Sequence, residues 1–358
     1  MHAIVPPYLL ARIAAAPEPG WAHAAEAARA TLAAPLAYRP PRTRLRLSIE
    51  DGDTLVAESV PAPDRTISDA GGREALPGVR VRGEDDPPTG DAAADEAFDG
   101  LGSTFDFFQD AYSRNGIDGA GGPLLATVHY GVEYDNAFWN GERMVFGDGD
   151  GEIFAGFTRS LTVVAHELAH GVIDASGGLT YRGQSGALNE SIADVFGALT
   201  EQHALGQSAS AASWLIGEGI FTPAVEGRAL RSLAAPGTAY DDDVLGRDPQ
   251  PAHMRDFVVT RDDNGGVHIN SGIPNRAFHL AAAALGGFAW ERAGLIWYRT
   301  LTSGLLTPLA DFTTFAAATL ATARAEYGED SEEAAAVRAG WVGVGVWDDD
   351  GRTATTRD

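Results

Sequence analysis

A chain of 358 residues, 44% hydrophobic and 21% charged, has a globular composition and enough length for two cores with a cleft between them. It contains no cysteine and no lysine, which excludes disulfides, thiolate chemistry, Schiff bases and a P-loop lysine, so any metal must be held by His, Asp or Glu. A formal net charge of -24 sets most of the surface against nucleic acid and anionic membrane, and no apolar run reaches the ~18–20 residues that span a bilayer.

Residues 1–46 hold six arginines against two glutamates, formally +4, while the remainder holds 20 arginines against 48 acids, -28. The first 19 residues make a poor secretory signal: Pro6 and Pro7 break the apolar stretch, Arg12 interrupts it and no charged segment precedes it. The apolar group Tyr8, Leu9, Leu10 and Ile13, with a helical stretch from His23 to Ala34, argues for a small cationic segment docked on an acidic body. Pro40 and Pro41 favour an extended connection after it. Residues 65–82 alternate around Asp69, Gly71 and Gly72 as a hairpin does. Phe98, Leu101, Phe105, Phe108 and Tyr112 mark an amphipathic helix after the Pro87, Pro88 turn, and strand-like runs follow at Leu124–Tyr130 and Met144–Phe146.

From residue 160 the periodicity is mostly helical, at Leu161–Ala175, Ala187–Ala204, Asn275–Leu285, Ala289–Thr300, Leu309–Tyr327 and Ser331–Ala339. The front half is therefore expected to be mixed α and β and the back half mainly α. The acidic clusters Asp241–Asp243 and Asp348–Asp350 read as solvated loops, and no internal repeat is visible.

Chemistry concentrates in VVAHELAHGV. His166 and His170 stand four apart on a helix, so both imidazoles leave one face with Cβ atoms about 5–6 Å apart. Glu167, beside the first, can take a proton from a water on a metal held by the pair. Taken alone the pattern also fits a polar helix face. ALNESIADVFGAL adds Glu190, 20 residues after His170, with Asp194 one turn beyond on the same face.

HELAH followed by GALNESIADVFG resembles the thermolysin-like (M4) metallopeptidases, over nearly all of residues 65–345. The metzincin alternative needs another His at position 176, which is Ser176. The resemblance implies an α+β, two-domain gluzincin fold: a mixed α/β N-terminal domain with a twisted sheet, a mainly α-helical C-terminal domain, and a zinc cleft between them. It implies one catalytic zinc on His166, His170 and Glu190, with Asp194 orienting a ligand histidine and Asn189 supporting the ligands. Tyr181 and His268 match donors to the transition-state oxygen, and Asp263 would hold the His268 ring. Asn136, the Ala137 backbone and Arg231 match groups that hold the substrate main chain. Phe154, Phe157, Val163, Ile216, Ile220 and Leu230 match an apolar hole for the residue after the cut bond, although each also reads as ordinary core.

The expectation is a zinc-dependent neutral endopeptidase cutting internal bonds before Leu, Ile, Phe or Val. Glu167 would act first as base and then as acid, with no covalent intermediate. A silent binding protein of the same fold would have lost Glu167, a ligand or His268, and none is lost. An aminopeptidase would need a site for a free amino terminus, which no motif supplies.

The sequence departs from thermolysin at calcium: Thr162, Ser213 and Leu215 stand where carboxylates belong, leaving Glu201 and Glu218. The family's double calcium site looks degenerate, since a hard cation wants 6–8 oxygens, and GDGDG at 147–151 reads as a Gly-rich turn. PPYLL at 6–10 resembles the opening of protealysin-like precursors, a branch with a short propeptide. The implied organisation is residues 1–60 as propeptide and cleavage linker, 61–181 as N-terminal catalytic domain and 182–358 as C-terminal domain. A zymogen is expected to be cut within residues 42–66, where Leu45, Leu47, Ile49 and Leu55 offer suitable side chains. The expected partners are peptide and protein substrates and the chain's own propeptide, with no nucleic acid, no membrane and a monomeric state. Secretion by an unconventional route is expected, with a cytoplasmic precursor as the alternative.

Overall fold

A computed structural model describes residues 2–16, 20–34 and 61–348. The chain opens with β1 (His2–Ala3), α1 (Pro7–Ala14) and α2 (Ala22–Ala33). Pro7 begins α1 at no cost, because the N–H it lacks would be an orphan in a first turn anyway. The hairpin follows as β2 (Arg65–Asp69) and β3 (Val79–Gly83), antiparallel, with a cis Leu76–Pro77 bond in the connection. Next comes α3 (Ala92–Tyr112), whose start is capped by the Asp91 carboxylate accepting from the Ala94 N–H.

β4 (Leu124–Val128), β5 (Ala137–Trp139) and β6 (Met144–Phe146) complete a six-stranded sheet of order β1-β5-β6-β4-β2-β3. The β2–β4 and β4–β6 pairs are parallel and the others antiparallel. Without β1, strand β5 would be an edge with a free row of backbone groups. β4 stops at Val128, short of the expected Tyr130, because His129 adopts φ 53, a left-handed conformation that breaks a strand.

The remainder is helical apart from short ribbons: α4 (Leu161–Ala175), α5 (Gly183–Leu205), β7 (Leu215–Ile216), β8 (Arg231–Ser232), β9 (Asp241–Asp242), β10 (Gly246–Arg247), α6 (Asp263–Asn270), α7 (Gly272–Leu285), α8 (Leu295–Thr302), α9 (Phe312–Tyr327) and α10 (Glu332–Gly343). The fold is α+β, a mixed sheet followed by a helical body, as expected. Helix α4 is buried from Thr162 through Ile173, which is why it is apolar on every side except at its chemistry-bearing residues. It packs along α5, and Gly197 permits the close approach: a Cβ there would lie 2.8 Å from the Thr162 carbonyl oxygen.

Three expectations need correction. Asp241 and Asp242 form β9, paired with β10, and the Asp242 carboxylate caps its own hairpin by accepting from the Val244 and Leu245 N–H groups. The Ala289–Thr300 helix begins as a π-turn at Trp290–Gly294 before α8. α6 was not foreseen, since it opens through Asn264, Gly265 and Gly266 at φ 52, 89 and 76 and carries no helical periodicity there. The Pro40–Pro41 connection, the candidate cleavage residues Leu45, Leu47, Ile49 and Leu55, and Asp349 and Asp350 lie outside the described residues. Among the described residues no helix is long and apolar enough to cross a membrane.

Candidate active site

Helix α4 carries His166 and His170 and α5 carries Glu190, all three fully buried. The two Nε2 atoms are 3.0 Å apart, and Glu190 oxygens lie 3.5 Å from His166 Nε2 and 3.6 Å from His170 Nε2. Donor atoms on one tetrahedral ion with bonds of ~2.0–2.2 Å sit about 3.3–3.6 Å apart; the two carboxylate–imidazole distances fall in that range and the two Nε2 atoms sit somewhat closer.

The tautomers agree. His170 Nδ1 donates to Asn189 Oδ1 at 2.8 Å, and the Asn189 amide is itself fixed by its Nδ2 donating to the Leu179 carbonyl at 3.2 Å. His166 Nδ1 faces Asp194 at 2.9 Å. Both Nε2 atoms therefore turn lone pairs toward each other and toward a carboxylate, a repulsive arrangement unless a cation lies between them. Glu190 Oε2 is buried with no hydrogen-bond partner, which a metal would satisfy. Burial, reinforced by neighbouring histidines, holds the His170 pKa well below its ordinary value and keeps the ring a neutral donor.

Asp194 anchors this arrangement. It accepts from Arg231 Nε and Nη2 at 2.8 Å each, and from Asn275 Nδ2 at 2.9 Å. Burial alone would raise its pKa, but the Arg231 guanidinium and then His166 reverse this and hold the carboxyl well below the usual range.

Glu167 is buried, and burial followed by the Glu190 charge pushes its pKa well above the ordinary carboxylate value. The Tyr181 hydroxyl donates to Glu190 Oε1 and lies 3.2 Å from His268 Nε2. Asp263 braces His268 from below, its carboxylate 2.6 Å from Nδ1 and accepting the His268 backbone N–H at 2.9 Å. Burial lowers the His268 pKa, but Glu190 and then Asp263 outweigh it and push the ring up to about 9, so it is a donor at neutral pH.

The N-terminal strand lies across these groups. Ile4 N–H donates to the Ala137 carbonyl at 3.0 Å, and Arg231 Nη1 donates to the Ile4 carbonyl at 2.9 Å. Asn136 takes the Val5 N–H at 2.9 Å and donates to the Val5 carbonyl at 3.1 Å, while His268 Nε2 meets the Ala3 carbonyl at 2.8 Å. Phe154, Phe157, Val163, Ile216, Ile220 and Leu230 are all buried, in the large core cluster that holds Ile4 and extends as far as Trp347. The structure thus brings His166, His170, Glu190, Asn189, Asp194, Arg231, Tyr181, His268, Asp263, Asn136 and Ala137 around one point, and places the six apolar residues in the buried core. Asn275, His2 and the Ala3–Val5 segment were missed. Asn275 and His2 have no local motif; the β-branched Ile4–Val5 pair before Pro6 was the available signal.

At the expected calcium position the Thr162 hydroxyl accepts the Gly217 N–H at 2.9 Å. Burial and then Glu218 push Glu201 up to about 7. In GDGDG, Asp150 Oδ1 closes the turn by accepting from Glu152, Ile153 and Phe154 N–H groups.

Comparison with known proteins agrees with this geometry. Residues 70–174 match the thermolysin metallopeptidase catalytic domain, and residues 177–346 match the thermolysin metallopeptidase alpha-helical domain. An extracellular metalloprotease of Pectobacterium carotovorum subsp. carotovorum is 48% identical over 343 residues, 96% of each chain. Protease PrtS of a Photorhabdus species is 50% identical over 301 residues, 83% of this chain and 80% of that one. The structure of a precursor of protealysin, a metalloproteinase from Serratia proteamaculans, superposes with a TM-score of 0.85 at 50% identity, covering 97% of this chain and 100% of that one. This chain belongs to the thermolysin family of zinc-dependent metalloendopeptidases, in its protealysin branch.

Proposed function

We propose that the chain is a zymogen whose mature form cuts internal peptide bonds before large apolar residues, with Glu167 as the proton carrier. The observation that carries this reading is the register of the N-terminal strand. Its Ala3–Ile4 bond lies with the carbonyl on His268, and an isoleucine follows in the apolar cluster. His166, His170 and Glu190 would hold the zinc. When bound, the ion supplies Lewis acidity, lowering the pKa of water and polarising a carbonyl.

The chain's own groups do the remainder. Glu167 accepts a proton from the attacking water and returns it to the departing amine. Its raised pKa suits both tasks. Tyr181 and the protonated His268 donate to the carbonyl oxygen as it gains charge. Asn136, Ala137 and Arg231 hold the main chain on the leaving side, and Asp194, Asp263 and Asn189 keep the working side chains in place.

Residues 1–60 form the propeptide and linker, 61–181 the N-terminal catalytic domain and 182–358 the helical one. The N-terminal strand keeps substrate out until the linker is cut within residues 42–66. The mature enzyme acts as a monomer on peptides and proteins after release by an unconventional route, and the extracellular relatives support that destination. The degenerate calcium position leaves zinc as the working metal.

The test is hydrolysis of quenched internal peptides by the matured protein, with and without a zinc chelator, alongside Glu167→Ala. Turnover should vanish with chelator and fall by about 10² to 10⁴ in the variant. Replacing the apolar residue after the cut bond by Asp should lower kcat/KM by roughly 10²-fold or more. A variant with wild-type turnover refutes the role of Glu167.

A further inference from the structure

The Ala3–Ile4 bond raises a question of its own survival. Ala137, Arg231 and Asn136 hold Ile4 and Val5 by the main chain, and His268 holds the Ala3 carbonyl. The side chain after the bond is the type the apolar cluster accepts. A precursor so arranged should consume its own N-terminus unless something stops the reaction.

His2 is the residue that main-chain pairing does not account for. The residue is only 6% exposed, and its ring stacks on the ligand His170 with centroids 4.1 Å apart and meets Tyr181 edge-on at 4.2 Å. His2, His170 and Glu190 bring ligand atoms within 4.8 Å of one another. His2 Nδ1 is buried with no hydrogen-bond partner. Leaving such a nitrogen unsatisfied costs about 1–3 kcal/mol, whereas an apolar side chain would fill the same space without that penalty. A buried imidazole with a ligand atom this close to His170 and Glu190 can donate a lone pair to the same ion.

We propose that His2 is a ligand of the zinc site in the precursor alone, closing the coordination position that His166, His170 and Glu190 leave open. With that position taken, the water needed for hydrolysis has no place, and Ala3–Ile4 stays intact in a register that would otherwise lead to cleavage. Cutting the linker then lets the segment leave, and His2 with it. This inference rests on the metallopeptidase reading above.

The test uses the full-length chain carrying Glu167→Gln, which cannot cut itself, loaded with cobalt(II) as a visible probe of coordination. It is compared with the same chain also carrying His2→Ala or His2→Phe. Phe keeps a ring to stack on His170 but has no lone pair, so it separates ligation from stacking. Both substitutions should shift the cobalt absorption bands and speed metal loss to a chelator by roughly tenfold or more. In a second arm with Glu167 intact, the His2→Phe precursor should lose residues 1–3 by mass spectrometry. Water adds hydroxyl to the Ala3 carbonyl carbon and hydrogen to the Ile4 nitrogen as the C–N bond breaks. Wild type should keep these residues.

Unchanged bands and release rates in both variants would mean the ring merely covers the site, and overturn the proposal. So would an uncut His2→Phe precursor. Failure of all chains to take up cobalt would instead refute the metal site itself.

Discussion

Asp194 shows how much one buried carboxylate can hold together. It carries the Arg231 guanidinium in a two-point pair, steadies His166 and accepts from Asn275. Arg231 is only 1% exposed, so Asp194→Asn strands a buried cation. We expect about 3–5 kcal/mol lost in urea unfolding and zinc affinity down roughly 10–100-fold in a chelator competition. Wild-type values in both would show that the pair is dispensable. Asp135 makes a different prediction. Burial and then the Asp150 charge push its pKa from 3.8 up to about 8. Between those values the folded chain keeps a proton that the unfolded chain has released. The stability it contributes is therefore full below about pH 4 and is lost as pH rises through about 8. Asp135→Asn retains an acceptor for the Asp150 N–H, a bond of 2.8 Å, but cannot ionise. Its thermal stability should fall less than that of wild type between about pH 5 and 8.5; parallel curves would disprove the shift.

Between elements, the decisive contact is α4 against α5, since one brings the two imidazoles and the other Glu190 and Asp194. Gly197 lets the helices meet, and the atom that a Cβ would strike is backbone, which cannot turn aside. Gly197→Ala is therefore expected to cost about 1–3 kcal/mol despite the better helix propensity of alanine. It should also weaken zinc binding, because the ligands move apart. A variant as stable as wild type with unchanged zinc affinity would show that the helices have slack. Strand β1 acts at the same scale, since it covers the free side of β5 and presents the N-terminal segment to the site.

For the whole molecule, a metal bound between α4 and α5 couples folding to zinc. If zinc stands near a thousand times its Kd it contributes about 4 kcal/mol, so chelation should lower Tm by roughly 5–10 °C in a thermal melt. Added calcium should move Tm by no more than about 1 °C, because the Thr162 hydroxyl is engaged by the Gly217 N–H and Glu201 and Glu218 have little help. A calcium shift as large as the zinc shift would refute the proposal that the calcium site is degenerate.

Local pattern by itself determined the helices α3, α4, α5, α7 and α9, the hairpin β2–β3 and the placing of His166 and His170 on one helix face. Amphipathic spacing and the His-Glu-x-x-His interval are properties of a few consecutive turns. Helical register set Glu190 and Asp194 on one face, while family resemblance pointed to their roles and to Tyr181, Arg231 and His268. Only the tertiary structure decided that Asn275 supports Asp194, that β1 completes the sheet and that His2 stacks on His170. These contacts join residues 81, 137 and 168 positions apart, and no short-range periodicity encodes a partner at such a distance. Packing brings them together, because a buried polar group must find whatever donor or acceptor the folded chain places beside it.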